Sequence, residues 1–382
     1  MELQPLHTPP GFDPHTLLGP LTEALSGEGP AIAPHADPAQ TFSDTLPNDD
    51  IAAVLSTSGT TGTPKQTMLS VDALAASSAA TASALSAEGQ WLLALPVHYV
   101  AGFQVLVRSL YAGTRPWAMP PGEPFTSSAF TSAAEELTDR VRFTSLVPTQ
   151  LDRLLRDPCP ATLRALKRFD AILLGGAPAS NHLRSEAVKH NLNIVQTYGM
   201  SETCGGCVYN GKPLDGVSLM DDAGQLWISG PVLADGYYGD PTQTNERFVF
   251  HSGQRWFRTD DAGTLSKDGT VTVSGRLDDV ILTGGVKVSA SVVCAVVESL
   301  PGVHAALVAG VDSPEWGTCV AVAVAGSVEV DLIRTGVRNV LGAEAVPKVV
   351  LTVESLPCLA NGKPDRQTIQ ALLRKSATVP TR

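Results

Sequence analysis

A chain of 382 residues is long for a single core, so two domains are the expectation. Hydrophobic residues at 43% and charged residues at 17% fit a soluble globular protein, while a net charge of −11 argues against a general nucleic-acid binder, which needs a basic surface. Any anionic ligand must therefore be held by local cations and N–H groups, because the overall field repels it.

Met1 to Asp50 is rich in Pro, His and Asp and carries no apolar core, unlike a secretory signal. No apolar run reaches the roughly eighteen residues of a membrane span. The longest, Cys319 to Ala325, has the length of a strand. A soluble, cytoplasmic protein without a membrane span is the expectation. Ile51 to Leu55 reads as a buried strand, and the Ala-rich Val71 to Leu85 as a helix. Trp91 to Leu95, Arg142 to Val147, Ala171 to Leu174 and Leu192 to Gln196 read as further buried strands, with helices over Ser132 to Arg140 and Thr149 to Arg156. Such alternation predicts an α/β layered domain with largely parallel strands. From Gln225 to Val273 the texture changes to short strands, Leu226–Ser229, Trp256–Arg258 and Val271–Ser274, between Gly/Asp turns. This predicts a β subdomain closing a first domain over residues 1–275.

Residues 276–382 then read as a small, mobile α+β domain. Its expected strands are Val280–Leu282, Ala305–Val311, Cys319–Ala325 and Lys348–Val353. Val292, Val293, Val296, Val297 and Leu300 follow a helical period although β-branched residues disfavour helix. The period predicts a helix over Ser291 to Ser299. Of six cysteines only Cys204 and Cys207 lie close together, and no second pair or histidines at ligand spacing accompany them. They read as small residues beside a site.

The most informative segment is the loop after the first buried strand, Ser56-Thr57-Ser58-Gly59-Thr60-Thr61-Gly62-Thr63-Pro64-Lys65. Glycines let backbone N–H groups approach a phosphate, hydroxyls donate hydrogen bonds, and Lys65 adds charge. It is not a Walker A loop, since Pro64 precedes the lysine and Gln66 follows it. Five further segments follow in order: Leu173-Leu174-Gly175-Gly176-Ala177-Pro178, Gln196-Thr197-Tyr198-Gly199-Met200-Ser201-Glu202-Thr203, Trp256-Phe257-Arg258-Thr259-Asp260-Asp261, Ser274-Gly275-Arg276-Leu277-Asp278-Asp279, and Leu359-Ala360-Asn361-Gly362-Lys363. A strand that runs into Gly175-Gly176 leaves backbone at the carboxyl end of a sheet, where ligands of α/β folds sit.

Taken together these segments resemble the adenylate-forming superfamily of acyl-CoA synthetases, peptide-synthetase adenylation domains and luciferases, over Ile51 to Arg366. The resemblance implies ATP, Mg²⁺ and coenzyme A as cofactor and co-substrates. Thr57, Ser58, Gly59, Thr60, Thr61, Gly62 and Lys65 would cradle phosphate. Gly175 and Gly176 would lie against adenine and the acyl substrate, Tyr198 and Gly199 at adenine, and Met200 at the acyl pocket. Ser201 would bind the α-phosphate and Glu202 would hold Mg²⁺. Asp261 would grip the ribose hydroxyls, with Asp260 in place of the usual glycine. Arg276 would contact ribose and phosphate, and Asp278 would be the hinge between domains. Gly284, Gly285 and Lys287 would enter for the CoA step, and Lys363 would stabilise the α-phosphoryl transition state.

Only 55 residues precede the phosphate loop, a feature shared with the o-succinylbenzoate–CoA ligases of menaquinone biosynthesis. Leu95 to Leu110 is similar to that group's acyl-pocket segment, with Arg108 at the end of an apolar helix and the pair His98-Tyr99 before it. A second, ionised substrate carboxylate needs a cation such as Arg108, because an unpaired buried carboxylate is costly. Either His98 or Tyr99 is a candidate pocket wall facing the acyl substrate, and neither is assigned as an acid or base. The implied activity is an ATP-dependent acid–thiol ligase acting on small molecules. Its rivals are another aryl- or acyl-CoA ligase, a stand-alone adenylation domain, and a catalytically silent nucleotide-binding regulator. The oligomeric state stays open, a homo-oligomer included.

Overall fold

The computed structural model describes residues 2–42, 45–57, 65–314, 316–359 and 362–377. Its centre is a seven-stranded sheet in the order Lys212–Pro213, Gly205–Tyr209, Ile194–Met200, Ala171–Leu174, Arg142–Leu146, Gln90–Leu93 and Trp117–Ala118. From Ile194–Met200 to Trp117–Ala118 every pairing is parallel. Ala171–Leu174 is buried throughout, as a strand covered on both faces must be. Helices Val71–Leu85 and Val100–Tyr111 pack on each other, and their apolar residues join one large core with Trp91, Phe103 and Phe143. A second core under the opposite face gathers Phe130, Leu151, Leu166 and Ile172.

A five-stranded sheet flanks this unit, in the order Leu3–His7, Ala31–His35, Ile51–Ser56, Gln66–Ser70 and Gly236–Tyr237. The amino-terminal region therefore does contribute core, against the sequence reading. Leu17, Leu21 and Ile32 are fully buried, and Ala31–His35 is buried at every position although it contains Pro and His. A third sheet is built on the long strand Gln254–Leu265, which pairs with Gln225–Ser229, Phe248–His251 and Val271–Arg276.

Beyond Arg276 the chain turns through residues 277–279 into the hairpin Val280–Thr283/Val286–Ser289. Helix Ala290–Glu298 follows, begun by Ser289, whose hydroxyl accepts the Val292 N–H. Its period prevails over its β-branched composition because Val293 and Val297 are fully buried against strand Val303–Ser313. That strand pairs with Gly317–Gly326, which pairs in parallel with Val349–Val353. Among the described residues the buried apolar clusters divide between residues 3–271 and residues 281–373. Contacts nevertheless cross between the two parts, as where His182 stacks on His304 with ring centroids 5.5 Å apart.

Candidate active site

The carboxyl ends of the parallel strands open on a cavity of about 560 Å³. Leu146, Gly175, Thr197 and Gly199 supply its floor, and Tyr99, Gln104 and Arg108 of the apolar helix and its lead-in supply one wall. Gly175 is required by crowding, since a Cβ there would lie 2.4 Å from Thr197 Oγ1. Ser56, Thr57 and Lys65 line the cavity where the two strands of the phosphate loop converge. The loop's neck is tied twice, by Thr57 N–H to Lys65 O at 2.7 Å and by Lys65 N–H to Thr57 Oγ1 at 3.3 Å. The expected phosphate ligands Ser58, Gly59, Thr60, Thr61 and Gly62 lie outside the described residues.

Ser201 and Glu202 sit on the short helical turn Ser201–Thr203 that ends the strand Ile194–Met200, and both are buried. Met200, Ser201 and Glu202 all line the cavity. Glu202 Oε1 accepts a hydrogen bond from Tyr237 Oη at 2.7 Å. Burial first, then the Glu202 charge, raises the Tyr237 phenol well above its ordinary range, so it remains a donor. Lys65 Nζ stands 5.2 Å from the centre of the Tyr237 ring.

Tyr198 Oη donates to Asp261 Oδ2 at 2.7 Å. Burial raises the Asp261 carboxyl above the usual carboxylate range, while the Tyr198 bond and Arg276 pull it back down. Asp261 and Arg276 are direct partners across adjacent strands. Arg276 grips Asp278 with two bonds, Nε to Oδ1 at 2.7 Å and Nη2 to Oδ2 at 2.8 Å, which raise its guanidinium further. Asp260, in place of the family glycine, is engaged elsewhere. Its carboxylate pairs with Arg247 and, at 3.4 Å, with Arg276. The extra charge is thus matched by a cation.

Lys363 reaches the same cavity from the other part of the chain. Thr149 Oγ1 donates to Gly362 O at 2.6 Å and seats the turn. Gly176, at φ +82°, passes so close that a Cβ would lie 3.1 Å from Lys363 Cε. Burial lowers the Lys363 ammonium from its ordinary value, and Glu202 opposes that shift. Asp278 lines the cavity rim, whereas Gly284, Gly285 and Lys287 do not line it. Gly284 and Gly285 form an exposed hairpin turn in which Gly284 packs on Trp316, and Lys287 is exposed on the strand that follows.

Arg108 is buried in the last turn of Val100–Tyr111. Its guanidinium lies 5.2 Å from the Trp91 ring centre, and it also borders a small cavity of about 20 Å³ near Glu88. Among the described residues no carboxylate pairs with it, and its Nε has no hydrogen-bond partner. One turn earlier, Gln104 donates to Cys204 O at 2.6 Å and leaves its Oε1 without a partner. Of the two candidate wall residues, His98 does not line the cavity. Its ring turns to Thr8 Oγ1 at 3.1 Å, away from the cavity, and burial lowers it to about 4. Tyr99 alone of that pair forms the wall.

Cys204 and Cys207 are buried free thiols, with Cys207 pushed up to about 12 by burial. Gln104, Tyr237, Gln243 and Arg247 are cavity residues that no sequence motif singled out. The signals for Gln104 were its place within the segment Leu95 to Leu110 and its position four residues before Arg108 on one helix face.

The family model for AMP-binding enzyme matches residues 17–238. A probable 2-succinylbenzoate–CoA ligase from Mycobacterium tuberculosis is 38% identical over 98% of this chain and 99% of its own length. A 2-succinylbenzoate–CoA ligase from Bacillus licheniformis is 31% identical over 86% of this chain and 71% of its own. Among solved structures, MenE from E. coli with bound OSB-AMS superposes with a TM-score of 0.76 at 23% identity, covering 98% of this chain and 87% of that one, which bears on the fold.

Proposed function

The chain belongs to the AMP-binding enzymes, and from that premise we propose that it is an acid–thiol ligase that joins 2-succinylbenzoate to coenzyme A at the expense of ATP. The observation that carries the substrate is Arg108, a buried guanidinium beside the cavity with an unpartnered Nε. A buried cation without a counter-ion is costly, and a diacid with one spectator carboxylate supplies the missing partner.

In the first step an oxygen of one substrate carboxylate bonds to the α-phosphorus of ATP. The bond from that phosphorus to the bridging oxygen breaks, and the electron pair leaves with pyrophosphate. Lys363 donates to the oxyanion charge that develops on the α-phosphoryl group. Ser201 holds an α-phosphate oxygen, Asp261 the ribose hydroxyls, and Tyr198 both the base and Asp261. Magnesium takes one or two carboxylates with phosphate oxygens and water, and Glu202, fixed by Tyr237, fits that need. Bound with the nucleotide, it would neutralise phosphate charge.

In the second step the chain beyond Asp278 rotates, withdraws Lys363 and offers Gly284, Gly285 and Lys287. The thiol sulfur of CoA then bonds to the acyl carbon, its proton passes to solvent, and the acyl–oxygen bond breaks to release AMP. The test is ATP–pyrophosphate exchange with a panel of acids. 2-Succinylbenzoate should support exchange, followed by thioester on addition of CoA. Exchange with a monocarboxylic aryl acid alone would point to another ligase of the family. Acyl-AMP that passes to a carrier protein and not to CoA would indicate an adenylation domain, and no exchange with any acid a silent nucleotide binder.

A further inference from the structure

The residues assigned above account for the base, ribose and α-phosphate of the nucleotide. Of the phosphate-cradle residues assigned above, only Thr57 and Lys65 are among the described residues, and Lys65 is their one cation. Arg247 ends the short helix Pro241–Arg247 and lines the cavity together with Gln243. This helix is fastened to the Glu202 support, since Tyr237 N–H donates to Thr244 Oγ1 at 2.8 Å. The Tyr237 phenol also meets Glu202 and Lys65, and the helix that ends in Arg247 packs on the strand Gly236–Tyr237. Lys65, Glu202 and Arg247 thus converge around one side chain, at the phosphate-loop end of the cavity. There the Arg247 guanidinium is engaged by Asp260.

Resting on the ligase reading above, we infer that Arg247 is a binding residue for the β- and γ-phosphates and the departing pyrophosphate, with Asp260 as its exchangeable counter-ion. A guanidinium pairs in two-pronged fashion with phosphate oxygens, and a diphosphate offers more charge than one carboxylate. Asp260 gives up Arg247 at little cost because Arg276 stays within 3.4 Å of its second oxygen. The pair keeps the site near neutral before nucleotide arrives in a chain whose net charge of −11 otherwise opposes ATP.

The experiment measures pyrophosphate in two ways on the full chain. In ATP–pyrophosphate exchange, Arg247→Ala should raise the KM for pyrophosphate roughly tenfold to a hundredfold. Arg247→Lys should recover part of the loss, and Asp260→Gly should lower that KM. Calorimetry with inorganic pyrophosphate should show the same order of affinities. Pyrophosphate takes no part in thioester formation from supplied acyl-AMP, so that rate reports whether a substitution damages the fold. An unchanged KM and affinity in Arg247→Ala overturns the inference, as does an equal loss in both half-reactions. If the native chain shows no exchange with any acid, the ligase reading falls, and calorimetry alone decides the role of Arg247.

Discussion

Two of the turns with positive-φ glycines in residues 276–382 stand in opposite situations. The turn with Gly362, at φ +76°, is pressed against Val147 and bound by Thr149, and it delivers Lys363 into the cavity. The hairpin turn with Gly284 and Gly285, at φ +54° and +82°, is exposed and packs on Trp316 of its own unit. On the mechanism proposed above, this arrangement serves the first half-reaction, and the second follows when the unit turns about Asp278. Two ion pairs flank that position. Arg276 clasps Asp278, and Arg366 clasps the neighbouring Asp279 with Nη2–Oδ2 at 2.7 Å. Both pairs are partly exposed, so they orient the segment and add little stability.

The contrast between the turns is broken most severely by Lys363→Ala. Loss of one transition-state donor costs about 3–4 kcal/mol, or roughly 10²–10³ in rate. Adenylation, followed as pyrophosphate exchange, should fall by that factor, while thioester formation from supplied acyl-AMP should persist. Equal losses would mean that Lys363 serves both states. Asp278→Pro should act in reverse, because proline fixes φ where rotation needs it free. Acyl-AMP should accumulate and CoA should fail to consume it. Since the substitution also removes the Arg276 partner, Asp278→Ala is the control, and it should turn over. Normal turnover by the proline variant would place the hinge elsewhere.

Arg108→Ala leaves both turns untouched and should change only acid recognition. The KM for 2-succinylbenzoate should rise roughly tenfold to a hundredfold, from a charged hydrogen bond of about 1.5–3 kcal/mol, with the KM for ATP nearly constant. Arg108→Lys should recover part of that. An unchanged KM would make the Trp91 contact its whole purpose. The smallest effect concerns the cohesion of the terminal unit. Burial pushes Glu298 up to about 7, against the Ala306 N–H and Arg184, which lower it. The folded state then holds this proton more tightly than the unfolded chain. Stability is full below about pH 4.5 and declines as pH rises to about 7, by an amount of order 1–3 kcal/mol. Thermal unfolding of Glu298→Gln should lose that slope, and a slope identical to the native chain's would exclude Glu298 as its source.

What was legible in the sequence follows a physical divide. Helix Val71–Leu85 and strand Ala171–Leu174 are found at the expected residues because a breaker or cap bounds each, Ser70 accepting the Ala73 N–H in the first case. The helix expected over Ser132 to Arg140 lies at Ser127–Glu135, where the cap is Thr126. Apolar period located the element, but capping fixed its phase. Trp256–Arg258 proved to lie near the start of a strand of 12 residues, extended by pairing with its neighbours on both sides. The site divides similarly. Glu202, Asp261 and Lys363 sit in contiguous motifs and could be read from them. Gln104, Tyr237 and Arg247 owe their places to Cys204, Glu202 and Asp260, and no local pattern reports a partner that distant.

The near-contact between Gly176 and Lys363 limits how the two halves of such a chain can be inherited or recombined. At φ +82° a side chain at position 176 is strained, and its Cβ would press on Lys363 Cε at 3.1 Å and on Val147. A change there is therefore felt by a turn almost two hundred residues downstream. A terminal half borrowed from a relative will serve this amino-terminal half only if its own lysine-bearing turn also fits over bare backbone.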